Sequence, residues 1–118
     1  ALEKERFGER LQINIDVPTK LLSRKIPPML LQPIVENSVK HGLSSLIEGG
    51  ELSIVVSEKN QRLHICVADT GVGVADVTTL LDKGVGLTNT QLRLEKMYNS
   101  SLQIRKNEPK GLIVEFTI

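Results

Sequence analysis

Leu52-Ser53-Ile54-Val55-Val56 and Leu63-His64-Ile65-Cys66-Val67, joined across Lys59-Asn60-Gln61, decide the fold of this chain. Apolar residues recur at every second position in each run: Leu52, Ile54 and Val56 in the first, Leu63, Ile65 and Val67 in the second. That period is the mark of a half-buried strand. Two strands joined by so short a link form a hairpin and run antiparallel, which excludes a purely parallel sheet.

Outward from the hairpin, Leu11, Ile13, Ile15 and Val17 alternate with Gln12, Asn14 and Asp16, a further strand. Ser101 to Arg105 and Leu112 to Ile118 read as two more, with Pro109, Lys110 and Gly111 turning between them. Pro27-Pro28 marks a helix start, because proline suits the first turn, where its missing N–H costs nothing. From Met29 to His41 the residues Leu31, Ile34, Val35 and Val39, with Ser38, share one broad face, and Gly42 is the expected stop. Pro33, within the first two turns, costs a hydrogen bond or a slight kink without ending the helix. Gly49-Gly50 reads as a turn, and Thr88 to about Tyr98 as a second helix. This order predicts an α+β two-layer sandwich: a mixed, mostly antiparallel sheet with helices packed on one face.

At 118 residues the chain is the size of one domain. Its net charge of +1 comes from 15 basic and 14 acidic residues interspersed along the chain. With no basic stripe, and only Phe7, Tyr98 and Phe116 as aromatics, the composition argues against direct nucleic-acid binding. Cys66, the single cysteine, lies in an apolar run and is expected to act as a small buried hydrophobe. No secretory signal is present, and no apolar run approaches the ~20 residues that cross a bilayer. The opening, Ala1-Leu2-Glu3-Lys4-Glu5-Arg6, reads as the end of a charged helix, so the chain is expected to be a domain of something longer.

Two glycine clusters flank one carboxylate: Asp69-Thr70-Gly71-Val72-Gly73 at the exit of the hairpin's second strand, and Gly84-Val85-Gly86-Leu87 before the second helix. Glycine permits backbone conformations and close approaches that a Cβ would block. On the first helix Asn37 shares its side with Pro33, Lys40 and His41, at spacings of three and four, while Glu36 sits one step round. The residue types suit a flat, phosphorylated ligand. An amide oxygen completes the shell of a Mg²⁺ already held by phosphates. Lysine reaches a phosphate as a point charge. An aspartate accepts from an exocyclic amine, and backbone N–H groups at glycines and at the helix start near Thr88 approach phosphate oxygens.

In this order the motifs resemble the ATP-binding catalytic domain of sensor histidine kinases, within the superfamily shared by gyrase and MutL ATPases (the Bergerat fold). Glu36-Asn37-Ser38-Val39-Lys40-His41-Gly42 is similar to the N box, and the two glycine clusters to the glycine boxes. Pro27 to Asn37, with Gly86-Leu87-Thr88-Asn89 and Arg93-Leu94, resembles the LytS-type subfamily of bacterial membrane sensors, paired with LytTR-type response regulators. The resemblance implies ATP and Mg²⁺ as ligands, with Asn37 on the metal and Asp69 on the adenine amino group. Gly71 and Gly73 would shape the adenine pocket. Gly84, Gly86, Leu87 and Thr88 would cradle the triphosphate, with Lys40 or His41 near the phosphates and Val74 to Lys83 as a short lid. Residues 1–10 would end a linker or helix from an upstream dimerisation domain that carries the acceptor histidine, and 11–118 would be the catalytic domain. The whole protein would then be a homodimeric, inner-membrane sensor with this domain in the cytoplasm.

Hydrolytic members of the superfamily carry a glutamate four residues before the metal-binding Asn; here that position is Pro33, which disfavours efficient hydrolysis. Glu36 is left to tune an external histidine or to pair with Lys40. A Gly-Thr often precedes the last strand, whereas this chain has Gly111-Leu112, so no side-chain contact to adenine is expected there. Neither His41, inside the N box, nor His64, on the outer side of its strand, suits the acceptor role. The alternatives are an anti-sigma-factor-type serine kinase and a non-catalytic nucleotide-sensing module.

Overall fold

A computed structural model describes residues 11–21, 25–43, 50–73 and 87–118. Its strands are β1 (Leu11–Asp16), β2 (Gly50–Lys59), β3 (Arg62–Asp69), β4 (Gln103–Lys106) and β5 (Leu112–Thr117). They form one sheet in the order β1-β2-β3-β5-β4, with β1 parallel to β2 and every other pair antiparallel. The expected mixed, mostly antiparallel sheet is therefore present. The expected end of a charged helix, Ala1 to Arg6, and the Val74 to Lys83 segment lie outside the described residues.

Register explains the core. Ile54 stands opposite Val67 and Val56 opposite Ile65. Val67 in turn faces Val114, and Ile65 faces Phe116. Because side chains alternate along a strand, these pairs form one continuous apolar face, buried throughout. Two helices, α1 (Pro28–Asn37) and α2 (Leu87–Tyr98), contact each other and supply the second layer through Leu30, Ile34, Leu87 and Leu94. The stripe on α1 runs Leu30, Ile34, Ser38, a line of i, i+4 neighbours, so Leu30 is sealed while Leu31 stays half-buried.

Gly42 does not end the first helix. After Asn37 the backbone widens into a π-helix, Ser38–Leu43, and Gly42 lies inside it. The Ser38 N–H is shared between the carbonyls of Ile34 and Val35 where the winding changes. The π turn packs against β2 and β3. At the other helix, Asn99 takes a left-handed conformation (φ 52°) and the Ser100 N–H returns to the Leu94 carbonyl at 3.1 Å, which stops α2 at Tyr98. β4 begins two residues later than the alternation suggests, because the Leu102 N–H is taken by the Gln91 side-chain oxygen at 2.7 Å. On edge strand β1 Ile13 packs against the core, whereas Ile15 is 63% exposed.

Asn60 and Gln61 join β2 to β3 with φ of 54° and 66°. Positive φ at both central residues is the tight turn whose twist matches that of the strands, and asparagine followed by glycine suits it best. Glutamine in the second place carries the Cβ penalty of the left-handed region. Gln61→Gly should therefore raise stability by about 1 kcal/mol, a few degrees in the melting temperature. Thermal unfolding followed by circular dichroism checks this, and a lower melting temperature would contradict the turn assignment.

Candidate functional site

Asp69 is the last residue of β3 and is 2% exposed. A carboxylate that deep must be hydrogen-bonded or its desolvation is uncompensated. Its Oδ1 accepts two backbone N–H groups, from Gly71 at 2.9 Å and from Leu112 at 3.2 Å. The second oxygen takes no hydrogen bond from the described residues, and so keeps its acceptor capacity for a ligand.

The main chain around this carboxylate is held from both sides. Toward β2, the Thr70 N–H donates to the Glu51 carbonyl at 3.1 Å, and the Glu51 N–H donates to Thr70 Oγ1 at 3.0 Å. Toward β5, Asn107 Nδ2 donates to the Asp69 carbonyl at 2.8 Å. Gly111, with φ 106°, lies against the same peptide: a Cβ there would stand 2.0 Å from the Asp69 carbonyl oxygen. Gly73, with φ 68°, closes the loop over that turn, and a Cβ on it would meet the Gly111 oxygen at 3.1 Å. The two glycines thus have a shared reason: the strand exit and the β4–β5 turn are in backbone contact.

The structure gathers Asp69, Gly71 and Gly73 at one point, as the sequence suggests. It adds three residues that side-chain reasoning passes over: Asn107, Gly111 and Leu112. Leu112 replaces the familiar threonine, yet its contribution is a backbone N–H, which any residue except proline supplies. The usable signals were a glycine directly before the last strand and an asparagine four residues upstream of it.

Asn37 ends α1 half-buried, on the helix that packs against α2 and just before the π turn that touches β3. Glu36 and Lys40 are exposed. His41 lies within the π turn. The Leu87 side chain is fully buried in the core, so only its backbone remains to meet a ligand, and Thr88 next to it is half-buried in the first turn of α2. Gly84 and Gly86 fall outside the described residues.

A separate polar cluster occupies the sheet face away from the helices. His64 Nδ1 is 3.0 Å from Thr117 Oγ1 and its Nε2 is 3.4 Å from Glu115 Oε2, while Arg105 Nε is 3.6 Å from Glu115 Oε1. Cys66, half-buried beside them, has its thiol pushed above the ordinary range, chiefly by burial and then by the Glu115 charge. A raised thiol is a poor nucleophile at neutral pH, so this side chain packs rather than reacts.

Residues 27–118 match the family model for histidine kinase-, DNA gyrase B-, and HSP90-like ATPases. The chain belongs to that family, a family of ATP-binding domains. It is 36% identical over 110 residues to the sensor protein LytS of Enterococcus faecalis, covering 85% of this chain and 19% of that protein. It is 38% identical over 92 residues to the sensor histidine kinase BtsS of Escherichia coli, covering 78% of this chain and 16% of that one. The chain therefore spans less than a fifth of these relatives. In fold it is similar to the catalytic domain of histidine kinase ThkA, with a TM-score of 0.74 at 15% identity, covering 99% of this chain and 84% of that one. It is likewise similar to the histidine kinase domain of a blue-light-activated kinase from Erythrobacter litoralis, with a TM-score of 0.73 at 19% identity, covering 98% and 54%. The expected histidine-kinase ATPase fold is thus the observed one.

The backbone contact at Asp69 makes a steep prediction. Gly111→Ala adds a left-handed strain and a steric overlap at once, and should cost about 3 kcal/mol. Gly73→Ala, whose Cβ meets its nearest neighbour at 3.1 Å, should cost about 1 kcal/mol. Urea unfolding midpoints read both; equal losses, or a mild Gly111→Ala, would contradict the contact.

Proposed function

We propose that this chain is the ATP-binding catalytic domain of a bacterial sensor histidine kinase of the LytS type. The observation that carries the reading is Asp69: one carboxylate oxygen is fixed by two backbone N–H groups and the other is left to accept. An acceptor held that rigidly reads an exocyclic amine, as on adenine, and rejects the carbonyl that guanine presents at the same place. Gly71 and Gly73 would line the base pocket. Backbone N–H groups at Gly84, Gly86, Leu87 and Thr88, at the positive end of α2, would hold the phosphates, helped by Lys40 or His41.

A magnesium ion fits the donors present. Asn37 offers one neutral amide oxygen, too little to hold the ion alone but suited to complete a shell of phosphate oxygens and water. Bound there, Mg²⁺ would neutralise charge on the triphosphate. The chain's own part is positioning, which phosphoryl transfer chiefly requires. With Pro33 four residues before Asn37, no side chain at that place activates water. Exposed Glu36 is available instead to polarise an incoming histidine. An imidazole nitrogen of that histidine, on an upstream dimerisation domain, would bond the γ-phosphorus as the bond to ADP breaks. An aspartate of a response regulator, of LytTR type in this reading, would then take the phosphoryl group.

In this proposal residues 1–10 link the catalytic domain, 11–118, to that upstream domain, in a homodimeric inner-membrane protein with this domain in the cytoplasm. The relatives' names, sensor protein and sensor histidine kinase, favour it over an anti-sigma-factor-type serine kinase. Among the described residues no helix is long and apolar enough to cross a membrane.

Asp69→Asn tests the reading well. Asparagine keeps an acceptor oxygen for Gly71 and Leu112 but turns an NH₂ toward the base. At a ligand concentration of about a hundred times Kd, binding stabilises by roughly 2.7 kcal/mol, so Mg·ADP should raise the melting temperature of the wild-type chain by several degrees. Asp69→Asn should unfold near the unliganded wild-type temperature and show no such rise. No shift for wild type at millimolar nucleotide would sink the proposal.

A further inference from the structure

We infer that Asn107 is a positioning residue for adenine recognition: it aims the Asp69 carboxylate from the opposite turn of the sheet. The inference rests on the nucleotide reading above and adds to it a residue with no place in the three boxes.

Asn107 makes three bonds, and they differ in kind. Its Oδ1 accepts the Glu108 N–H at 2.9 Å, and its own N–H donates to the Gly111 carbonyl at 3.1 Å; both shape its own turn. The third reaches out of the turn: Nδ2 donates to the Asp69 carbonyl at 2.8 Å. That carbonyl is the one Gly111 presses upon, and the residue after Gly111 donates its N–H to Asp69 Oδ1. One five-residue turn therefore grips Asp69 twice, by main chain and by side chain. Asn107 closes the turn and makes the first grip.

The geometry matters because a hydrogen bond weakens steeply once its angle falls below about 120°. Asp69 lies at the end of β3, where ladder pairing stops, so its peptide plane is set by what lies beyond the strand. Thr70 fixes the β2 side and Asn107 the β5 side. Releasing the second lets the turn and its Leu112 N–H drift, and the second carboxylate oxygen drifts with them. Contacts to phosphate, which belong to α2 and the first helix, are untouched. The consequence is specific: loss of discrimination between bases, beyond a general loss of stability.

Asn107→Asp isolates the reaching bond. It keeps the shape and the Oδ1 acceptor for Glu108, but replaces the donor to the Asp69 carbonyl with an acceptor. Kd for Mg·ATP and Mg·GTP, measured by isothermal titration on the whole chain, should show ATP binding weakened about tenfold, the usual scale for one well-placed bond. GTP binding should change little, so the adenine-to-guanine ratio falls by a similar factor. Asn107→Ala should move the ratio in the same direction, and is read in place of Asn107→Asp if the aspartate variant does not fold. If a folded variant binds both nucleotides equally less well, or keeps the wild-type ratio while only its melting temperature drops, Asn107 merely builds its turn and the inference is overturned. Wild type that binds ATP without preferring it to GTP overturns the inference as well. Wild type that binds neither nucleotide removes the nucleotide reading itself, which separates the two failures.

Discussion

Everything at the proposed site depends on one backbone contact, that of Gly111 against the carbonyl of Asp69. There is no room for a Cβ between them. The contact brings the β4–β5 turn within hydrogen-bonding reach of the end of β3, and so makes the Leu112 and Asn107 bonds geometrically available. Those bonds in turn let a carboxylate be buried at the rim of an apolar sheet without being stranded there. The glycine is thus a condition for the buried carboxylate on which the proposed chemistry rests.

The sheet divides its two faces between tasks. Leu52, Ile54, Val56 and their partners on β3 and β5 bury one face under α1 and α2 and fix the strands rigidly. The strand end that carries Asp69 inherits that rigidity, which loops alone would not supply. The other face holds the His64–Glu115–Arg105 cluster beside Cys66, with His64, Glu115 and Cys66 half-buried and Arg105 exposed. One unresolved tension sits inside the core: the Thr90 hydroxyl, on α2 one turn from Leu87, is buried with no hydrogen-bond partner among the described residues. The cost of such a group is of the order of 1–3 kcal/mol.

The hairpin and the strands beyond it were legible because alternation carries their whole meaning: each apolar residue chooses the same face, and register follows. The first helix was legible from Pro28 to Asn37, where a 3.6-residue period holds. It ceased to be so at Ser38, where the chain changes to π winding against β2 and β3 and leaves no mark in composition. The same limit hid half of the site. Asp69, Gly71 and Gly73 form a compact motif, but Leu112 acts through its main chain and Asn107 through a bond to a residue 38 positions away. Leu112 leaves no residue-type signature, and Asn107 leaves only that of an asparagine four residues before the turn's glycine. The absence of threonine after Gly111 suggested a missing contact with the base, and the structure shows that the position works on Asp69 instead, through its N–H.

At the proposed site a carboxylate oxygen of Asp69, clamped by backbone, reads an adenine amino group. A crystal structure of the chain with Mg²⁺ and a non-hydrolysable ATP analogue tests it most directly. The adenine amino nitrogen is expected about 3 Å from the second carboxylate oxygen of Asp69, with the Gly71 and Leu112 N–H groups still on the first. A base lying away from Asp69, or a carboxylate that has abandoned those two N–H groups to meet it, would contradict it.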